Sequence, residues 1–172
     1  MREAAPFMDG LTLHYYSYNK ENRSATQFGE AEWAEMLKDA AGIEEEIVRH
    51  TAIMDEYDPQ NRIGLLVDEW GAWHDEEPGT IRGFLYQRNT MRDAVLAGLS
   101  LNIFNRHSRR VQMANIAQLV NVLQAPILTD GAKMVCTPTY YVFEMYAVHQ
   151  DAKLLHAAVQ TPDYTFGGNY SA

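Results

Sequence analysis

The sequence predicts an α/β protein in which parallel strands are joined by helices, followed by a small antiparallel β region. Three observations indicate this fold class. The short apolar run at residues 63–69 lies between segments whose apolar residues have helical spacing, as expected of a strand buried on both faces. Strand-like and helix-like segments alternate up to about Thr129, which is typical of parallel strands with helical crossovers. Beyond Thr129 the helical periodicity is lost, and turn residues separate short apolar runs.

The elements before the central strand are well marked. An alternating segment rich in strand formers follows the turn signal Asp9-Gly10. Two helical stripes come next, and the second begins with three glutamates, which suit the positive end of a helix dipole. Asp58-Pro59 ends it. The predicted elements are a strand at 11–16, a loop at 17–29, helices at 30–40 and from 43 to 54, and the central strand at 63–69.

The same criteria of spacing and composition apply to the rest of the chain. They predict a loop at 74–83, a helix at 84–97, a strand at 99–104, a helix at 113–123, and strands at 134–136, 140–146 and 154–159. We place a domain boundary near Thr129, which divides the chain into residues 1–128 and 129–172. Three strand–helix units are too few for a closed eight-stranded barrel. We therefore expect the chain to be a segment of a longer protein, with Met1 an internal methionine.

Composition limits the possible functions. The chain has 172 residues and a formal net charge of −9, with no basic cluster beyond Arg109-Arg110, which argues against a nucleic-acid groove. Cys136 is the single cysteine and has no partner for a disulfide within the chain, which fits a reducing, cytoplasmic compartment. No apolar run is long enough to span a bilayer, so we expect no membrane association.

Asp68 and Glu69 end the central strand and are followed by Trp70 and Trp73. In α/β proteins the groups just beyond the carboxyl end of a parallel strand face the ligand crevice. Neighbouring strand residues point to opposite faces, so we expect these two carboxylates not to act as a pair. A retaining glycosidase needs a second carboxylate about 5 Å away, from another strand. A structural role, with the carboxylates bound to an arginine or to backbone amides, remains the alternative.

Other polar residues are weaker candidates. His14, Tyr15 and Tyr16 end the first strand and could lie on the same rim, where aromatic rings can pack against the C–H faces of sugars. The histidines lack metal-ligand spacing, so we predict no metal site. Ser108 lacks the glycines of a nucleophile elbow, and the glycines follow no phosphate-binding pattern.

Several motifs, in order along nearly the whole chain, resemble the α-L-arabinofuranosidases of glycoside hydrolase family 51. The resemblance rests on Leu13-His14-Tyr15-Tyr16, Val67-Asp68-Glu69-Trp70-Gly71-x-Trp73, Pro78-Gly79, Asn89-Thr90-Met91-Arg92-Asp93-Ala94, Asn102-Ile103-Phe104-Asn105, Met113-Ala114-Asn115-Ile116-Ala117-Gln118-Leu119-Val120-Asn121 and Thr137-Pro138-Thr139-Tyr140. Any one of these motifs would be weak evidence, whereas together they are specific.

The resemblance implies a partial (β/α)8 TIM barrel, made of the last three βα units, followed by the beginning of an antiparallel β-sandwich. Glu69 would be the nucleophile at the end of the seventh barrel strand. Tyr16 would hydrogen-bond the nucleophile or hold the sugar, Trp73 would line the sugar pocket, Gln118 would contact sugar hydroxyls, and His14 would lie close by. The acid/base of the family is a glutamate after an asparagine on the fourth strand. Nothing in this chain matches it, so the resemblance places it upstream and implies that the fragment alone is inactive.

The implied activity is exo-acting hydrolysis, with retention, of terminal arabinofuranose from arabinose-containing oligosaccharides and polysaccharides, without metal or cofactor. Family members are commonly intracellular homo-oligomers, often hexamers. Two alternatives stay open: a different barrel glycosidase, such as a xylosidase, or a non-catalytic carbohydrate-binding or assembly piece.

Overall fold

The computed structural model describes residues 1–162, 164–166 and 170–171. Three parallel strands form one sheet in the order β1-β2-β3. Two helices connect β1 to β2, and one helix connects β2 to β3. The elements are β1 Gly10–Ser17, α1 Glu30–Ala41, α2 Ile43–Tyr57, β2 Gly64–Ala72, α3 Met91–Arg106, β3 Val111–Ile116, β4 Ile127–Asp130, β5 Lys133–Cys136, α4 Pro138–Tyr146, β6 Thr165–Phe166 and β7 Tyr170–Ser171, with short 3-10 turns at Ala5–Phe7 and Ala147–His149.

The central strand β2 lies in the middle of the hydrophobic core. It is hydrogen-bonded on both sides, and its fully buried side chains face residues of α2 and α3 in one apolar cluster. The prediction of parallel strands joined by helices is confirmed, as are β1, α1, α2 and the central strand. The cluster includes Ile43, Ile47, Met54, Leu65, Val67, Trp70, Ala94, Ala97, Ile103 and Phe104.

A β-bulge interrupts the regular alternation of β2. Thr12 of β1 pairs with Leu66, but His14 pairs with Glu69, so β2 has one residue more than β1 in this interval. The fully buried side chains on either side of the bulge are Leu65, Val67, Trp70 and Ala72, and their spacing changes from two residues to three and back to two. Asp68 and Glu69 lie between Val67 and Trp70, and neither side chain faces the core.

The structure corrects the predictions for the segment between β2 and residue 123. Residues 99–104, predicted as a strand, belong to α3, which begins after Thr90 rather than at Phe84. The predicted helix at 113–123 is wrong as well, because residues 111–116 form β3. A short apolar run fits a buried helix face as well as a buried strand. The N-terminal cap of α3 fixes where this helix begins. There the Asp93 carboxylate accepts hydrogen bonds from the backbone N–H and the hydroxyl of Thr90.

The predictions for the C-terminal part are mixed. The strand predicted at 134–136 is confirmed as β5, which pairs with β4 in an antiparallel hairpin. Residues 140–146, predicted as a strand, form α4, which begins at Pro138, a favourable first helical residue. The aromatic and β-branched residues that suggested a strand instead pack on the core through Val142 and Phe143. No strand is found at 154–159, whose side chains are exposed.

Residues 129–172 contain the second strand pair, β6 with β7. A boundary at residue 128 stays a prediction, as do the partial (β/α)8 barrel and the beginning of the β-sandwich. Part of the predicted second region, residues 163, 167–169 and 172, lies outside the described residues. Among the residues that are described, no helix is long and apolar enough to cross a membrane.

Candidate active site at the carboxyl end of the sheet

The carboxyl ends of β1 and β2 lie side by side because the two strands are parallel. His14 pairs with Glu69 in the strand register, and Tyr16 pairs with Gly71. The backbone N–H of Trp73 donates a hydrogen bond to the carbonyl of Ser17 at 2.9 Å, which extends the pairing beyond the strand ends. Four of the predicted site residues, His14, Tyr16, Glu69 and Trp73, are therefore brought together at one edge of the sheet.

Tyr16 contacts Glu69 directly. Its hydroxyl donates a hydrogen bond of 2.7 Å to Oε2 of the carboxylate. Burial of the ring, followed by the hydrogen bond and the charge of Glu69, raises the pKa of Tyr16 well above its ordinary value. The hydroxyl therefore stays protonated and remains a donor. The indole of Trp73 packs edge-on against the Tyr16 ring, with centroids 4.9 Å apart, and this contact orients the ring.

His14 lies between the two carboxylates. Its Nδ1 is 3.4 Å from Oε2 of Glu69, and its Nε2 is 3.2 Å from Oδ1 of Asp68. The expectation that Asp68 and Glu69 point to opposite faces is therefore wrong, because the bulge in β2 breaks the alternation on which that expectation rested. All three side chains are partly exposed, so a ligand can reach this His14–Asp68–Glu69 group.

Tyr15 does not belong to this rim. Its hydroxyl donates a hydrogen bond of 2.8 Å to the carbonyl of Asp39 in α1, on the helix side of the sheet. Burial, together with the charge of Asp39, raises its pKa to about 12. Of the three aromatic or imidazole side chains that end β1, only the alternate ones, His14 and Tyr16, reach Glu69.

Gln118 follows β3 at the same edge of the sheet, but it makes no recorded contact with Glu69. The N–H of Ala117 donates to the carbonyl of Trp70 at 3.1 Å, so this loop is joined to the residue after Glu69. The peptide bond between Ala117 and Gln118 is cis. The Gln118 side chain is exposed and lines a pocket with residues from the loop after β2.

A second histidine–carboxylate group lies just beyond β2, and it was not foreseen. Nε2 of His74 is 2.8 Å from Oδ1 of Asp93, and both side chains are completely buried. Arg92 is also fully buried; it donates to the carbonyl of Ser24 at 3.0 Å and lies 3.8 Å from the centre of the Phe28 ring. Two glutamines complete this buried network by binding the backbone of Ala72 and His74, namely Gln87 and Gln124.

The sequence contained one signal for this network. Thr90-x-x-Asp93 is a capping motif, and it places Asp93 in the first turn of a helix. The partners of Asp93 come from a loop nineteen positions earlier and from Gln124, and no local pattern indicates such distant contacts.

The rim group is suited to nucleophilic chemistry by a carboxylate. Both Tyr16 and His14 approach Oε2 of Glu69, and Oε1 has no recorded hydrogen bond within the described part of the chain. Residues 1–162 and 164–166 and the last strand contain no cluster of three or more histidine, cysteine, aspartate or glutamate side chains able to hold a metal ion. The arrangement offers one carboxylate that is oriented through one oxygen, beside aromatic surfaces that can pack against a sugar.

Known proteins have sequences similar to this one. The family profile described as "Alpha-L-arabinofuranosidase C-terminal domain" matches residues 68–171. The intracellular exo-alpha-L-arabinofuranosidase of Bacteroides ovatus is 54% identical over 151 residues, which cover 86% of this chain and 29% of that protein. The chain belongs to the α-L-arabinofuranosidases of glycoside hydrolase family 51. The family predicted from the motifs is therefore confirmed.

Structural comparison agrees with this family. The crystal structure of the family 51 arabinofuranosidase from Xanthomonas axonopodis pv. citri superposes with a TM-score of 0.95 at 52% identity, over 99% of this chain and 35% of that one. The intracellular exo-alpha-(1->5)-L-arabinofuranosidase 1 of Bacillus subtilis is 28% identical over 91% of this chain and 32% of its own length. The chain thus spans about a third of the length of these relatives.

Proposed function

We propose that this chain supplies the nucleophile and one wall of the sugar pocket of a retaining, exo-acting α-L-arabinofuranosidase. The substrate is a terminal non-reducing arabinofuranose on an oligosaccharide or polysaccharide. The observation that carries the proposal is the position of Glu69, held through Oε2 by Tyr16 and His14 at the carboxyl end of the central strand. The name of the Bacteroides ovatus relative, an intracellular exo-alpha-L-arabinofuranosidase, supports this proposal.

The proposed mechanism is a double displacement. Oε1 of Glu69 attacks the anomeric carbon, the bond to the leaving oxygen breaks, and a general acid protonates that oxygen. Water then attacks the glycosyl ester and gives its proton to the same group, now acting as a base, which releases arabinose and restores the Glu69 carboxylate. Tyr16 holds the carboxylate in the attacking orientation throughout. Trp73 lines the sugar site, and Gln118 binds sugar hydroxyls from the loop after β3.

The acid/base comes from a part of the enzyme outside this chain. Asp68 does not serve, because its contact with His14 places it beside Glu69 rather than across a scissile bond. In this proposal the chain forms the last three units of a (β/α)8 barrel, residues 1–128, and the start of a β-sandwich, residues 129–172. The enzyme is intracellular, as its relatives are named, and forms a homo-oligomer.

The decisive test is the chemical rescue of a Glu69→Ala variant in the protein encoded by the complete reading frame. We expect kcat on an aryl α-L-arabinofuranoside to fall by about a thousandfold or more, since the covalent step is lost. Azide fits the space left by the carboxylate, attacks the anomeric carbon and restores turnover. The product is then the β-arabinofuranosyl azide, with inverted configuration.

Asp68→Ala is the matched control, because it removes the neighbouring carboxylate and leaves Glu69 in place; azide should produce no glycosyl azide with it. Unchanged turnover in Glu69→Ala, or rescue without a glycosyl azide, would remove Glu69 from the nucleophile role. A panel of aryl glycosides separates the arabinofuranosidase from a xylosidase, since only the arabinofuranoside should be turned over efficiently.

A further inference from the structure

The segment that carries Trp73 lies beyond the paired part of β3. The last residues that pair between β2 and β3 are Trp70 and Ile116. On the other side of β2 the pairing with β1 continues, through the backbone N–H of Trp73. Because backbone groups alternate in direction along a strand, those of Ala72 and His74 point away from β1 and need other partners.

The side-chain amide of Gln87 supplies two of these partners. Its Nε2 donates to the carbonyl of Ala72 at 3.2 Å, and its Oε1 accepts a hydrogen bond of 2.8 Å from the N–H of His74. A residue of a neighbouring parallel strand bonds in the same way, to the carbonyl before and the N–H after the residue opposite it. The amide of Gln87 thus replaces a neighbouring strand at the position of Trp73.

Gln124 supplies the third partner. Its Oε1 accepts a hydrogen bond of 2.7 Å from the N–H of Ala72, and its Nε2 donates to the carbonyl of Asp93 at the start of α3. Gly71 leaves room for this contact, since a Cβ there would lie 2.8 Å from Oε1 of Gln124, and its φ of 130° also favours glycine. The end of β2 is therefore bound to α3 through an uncharged side chain.

Both glutamines are buried. Gln87 exposes 1% of its surface and Gln124 exposes 0%. Breaking one of their hydrogen bonds would leave a buried backbone group without a partner, which costs free energy, so the segment they bind is firmly held. The indole of Trp73 extends from this segment and packs edge-on against Tyr16, whose hydroxyl binds Glu69.

We propose that Gln87 and Gln124 are positioning residues of the candidate active site. They hold the backbone on both sides of Trp73, and the indole of Trp73 then orients the ring of Tyr16. The Tyr16 hydroxyl is thereby aimed at Oε2 of Glu69. This inference rests on the proposed function, because it explains how the same carboxylate is kept in place. The alternative is a purely structural role, in which the two amides stabilise the fold alone.

The test is a double-mutant cycle in the protein encoded by the complete reading frame. Gln87→Met removes the amide and keeps much of the side-chain volume, and Trp73→Ala removes the indole through which Gln87 is proposed to act. We expect Gln87→Met to lower kcat/KM on an aryl α-L-arabinofuranoside about tenfold in the wild-type background and less than about twofold in the Trp73→Ala background. The free energy of unfolding should fall equally in both backgrounds.

Gln124→Met provides a second cycle, which decides the matter if Gln87→Met does not fold. It removes one hydrogen bond to β2 instead of two, so the same pattern should appear with a smaller factor. Asp58→Asn is the matched control, because Asp58 is a buried side chain that accepts a hydrogen bond from the N–H of Ile63 at the opposite end of β2. It should lower the free energy of unfolding and leave kcat/KM unchanged.

A spectroscopic measurement makes the test independent of turnover. In protein labelled with fluorotryptophan, the fluorine NMR signal of Trp73 is identified by its absence in Trp73→Ala. We expect this signal to shift or broaden in Gln87→Met and to stay unchanged in Asp58→Asn, since only the first change loosens the segment that carries the indole.

Two failures are distinguishable. Full activity of Glu69→Ala would overturn the proposed function, and the fluorine spectra would still decide whether Gln87 holds Trp73. An unchanged Trp73 signal in Gln87→Met and Gln124→Met, or equal losses of kcat/KM in the two backgrounds, would overturn the positioning role and leave both amides with a structural role alone.

Discussion

Two histidine–carboxylate groups lie near the end of β2, and they differ in exposure and in hydrogen bonding. In the rim group, His14 is half exposed between Asp68 and Glu69, whose side chains are 33% and 47% exposed. In the buried group, His74 and Asp93 have no exposed side-chain surface and are joined to Arg92, Gln87 and Gln124. The buried group fixes positions, whereas the rim group keeps a carboxylate oxygen available for a ligand.

The comparison indicates how the carboxylate proposed to be reactive differs from a structural one. Asp93 has its oxygens occupied by Thr90 and His74, so little is left for chemistry. Glu69 is held through Oε2 alone. A polar group in the core must satisfy its hydrogen bonds internally, while a group at a strand end can leave one atom for substrate. Substitutions in the two groups should therefore affect different quantities.

The largest expected effect on stability is at Arg92. Arg92→Met keeps much of the side-chain volume but leaves the carbonyl of Ser24 and the amide oxygen of Asn19 without their buried donor. We expect a loss of about 3 kcal/mol in the free energy of unfolding, measured by denaturant titration. Arg88→Met is the control: Arg88 is exposed and paired with Glu77, so its removal should cost under about 1 kcal/mol. Equal losses in both variants would mean that buried Arg92 contributes no more to the free energy of unfolding than exposed Arg88 does.

A smaller effect, on activity rather than stability, is expected at Tyr16. Tyr16→Phe removes the hydrogen bond to Oε2 of Glu69 and keeps the ring against Trp73. A hydrogen bond to a charged group contributes about 1.5–3 kcal/mol, so kcat/KM should fall about 10- to 100-fold. Because the pKa of Tyr16 is raised, the hydroxyl stays protonated from neutral to mildly alkaline pH, and the loss should be constant over that range. Tyr18→Phe, further along the same segment, should leave kcat/KM unchanged.

The smallest effect is expected at Asp68. Asp68→Asn removes the charge next to Nε2 of His14 and leaves the partner on the Glu69 side in place. We expect a loss of about three- to tenfold in kcat/KM, because His14 is then less firmly oriented. The readout that identifies a positioning role is a fall in kcat at unchanged KM in Asp68→Asn, with neither constant altered in Asp75→Asn. Asp75 is 73% exposed and paired with Arg23, away from His14. An unchanged kcat in Asp68→Asn would mean that Asp68 does not act through His14.

The local pattern of the sequence predicted the first half of the fold well. The alternating strand before Tyr16, the two helical stripes and the apolar run before Asp68 each had a clear period and clear ends, and all four elements are present. The region from Phe84 to Leu123 was harder. There, α3 is lined by small and polar buried residues such as Asp93, Ala97 and Ser100, so its apolar stripe is incomplete.

Four of the predicted site residues, His14, Tyr16, Glu69 and Trp73, are neighbours in the structure, and the comparisons confirm the family. The geometry of the site was not predictable, because it depends on pairing between strands. The bulge after Val67 has no signature in composition, yet it decides that Asp68 and Glu69 both approach His14. The buried group around Arg92 depends on contacts between residues that are far apart in the chain, which a local pattern cannot show.

The bulge in β2 also ties the length of this strand to the direction of its side chains. Val67 and Trp70 are three residues apart and both face the core, which strict alternation would not allow without the bulge. Deleting or inserting one residue between them would make their separation even, so a regular strand could keep the indole of Trp70 against Phe104 and Phe143. When homologous sequences are aligned, a gap between these two positions therefore marks a strand without the bulge, in which neighbouring acidic residues would point to opposite faces.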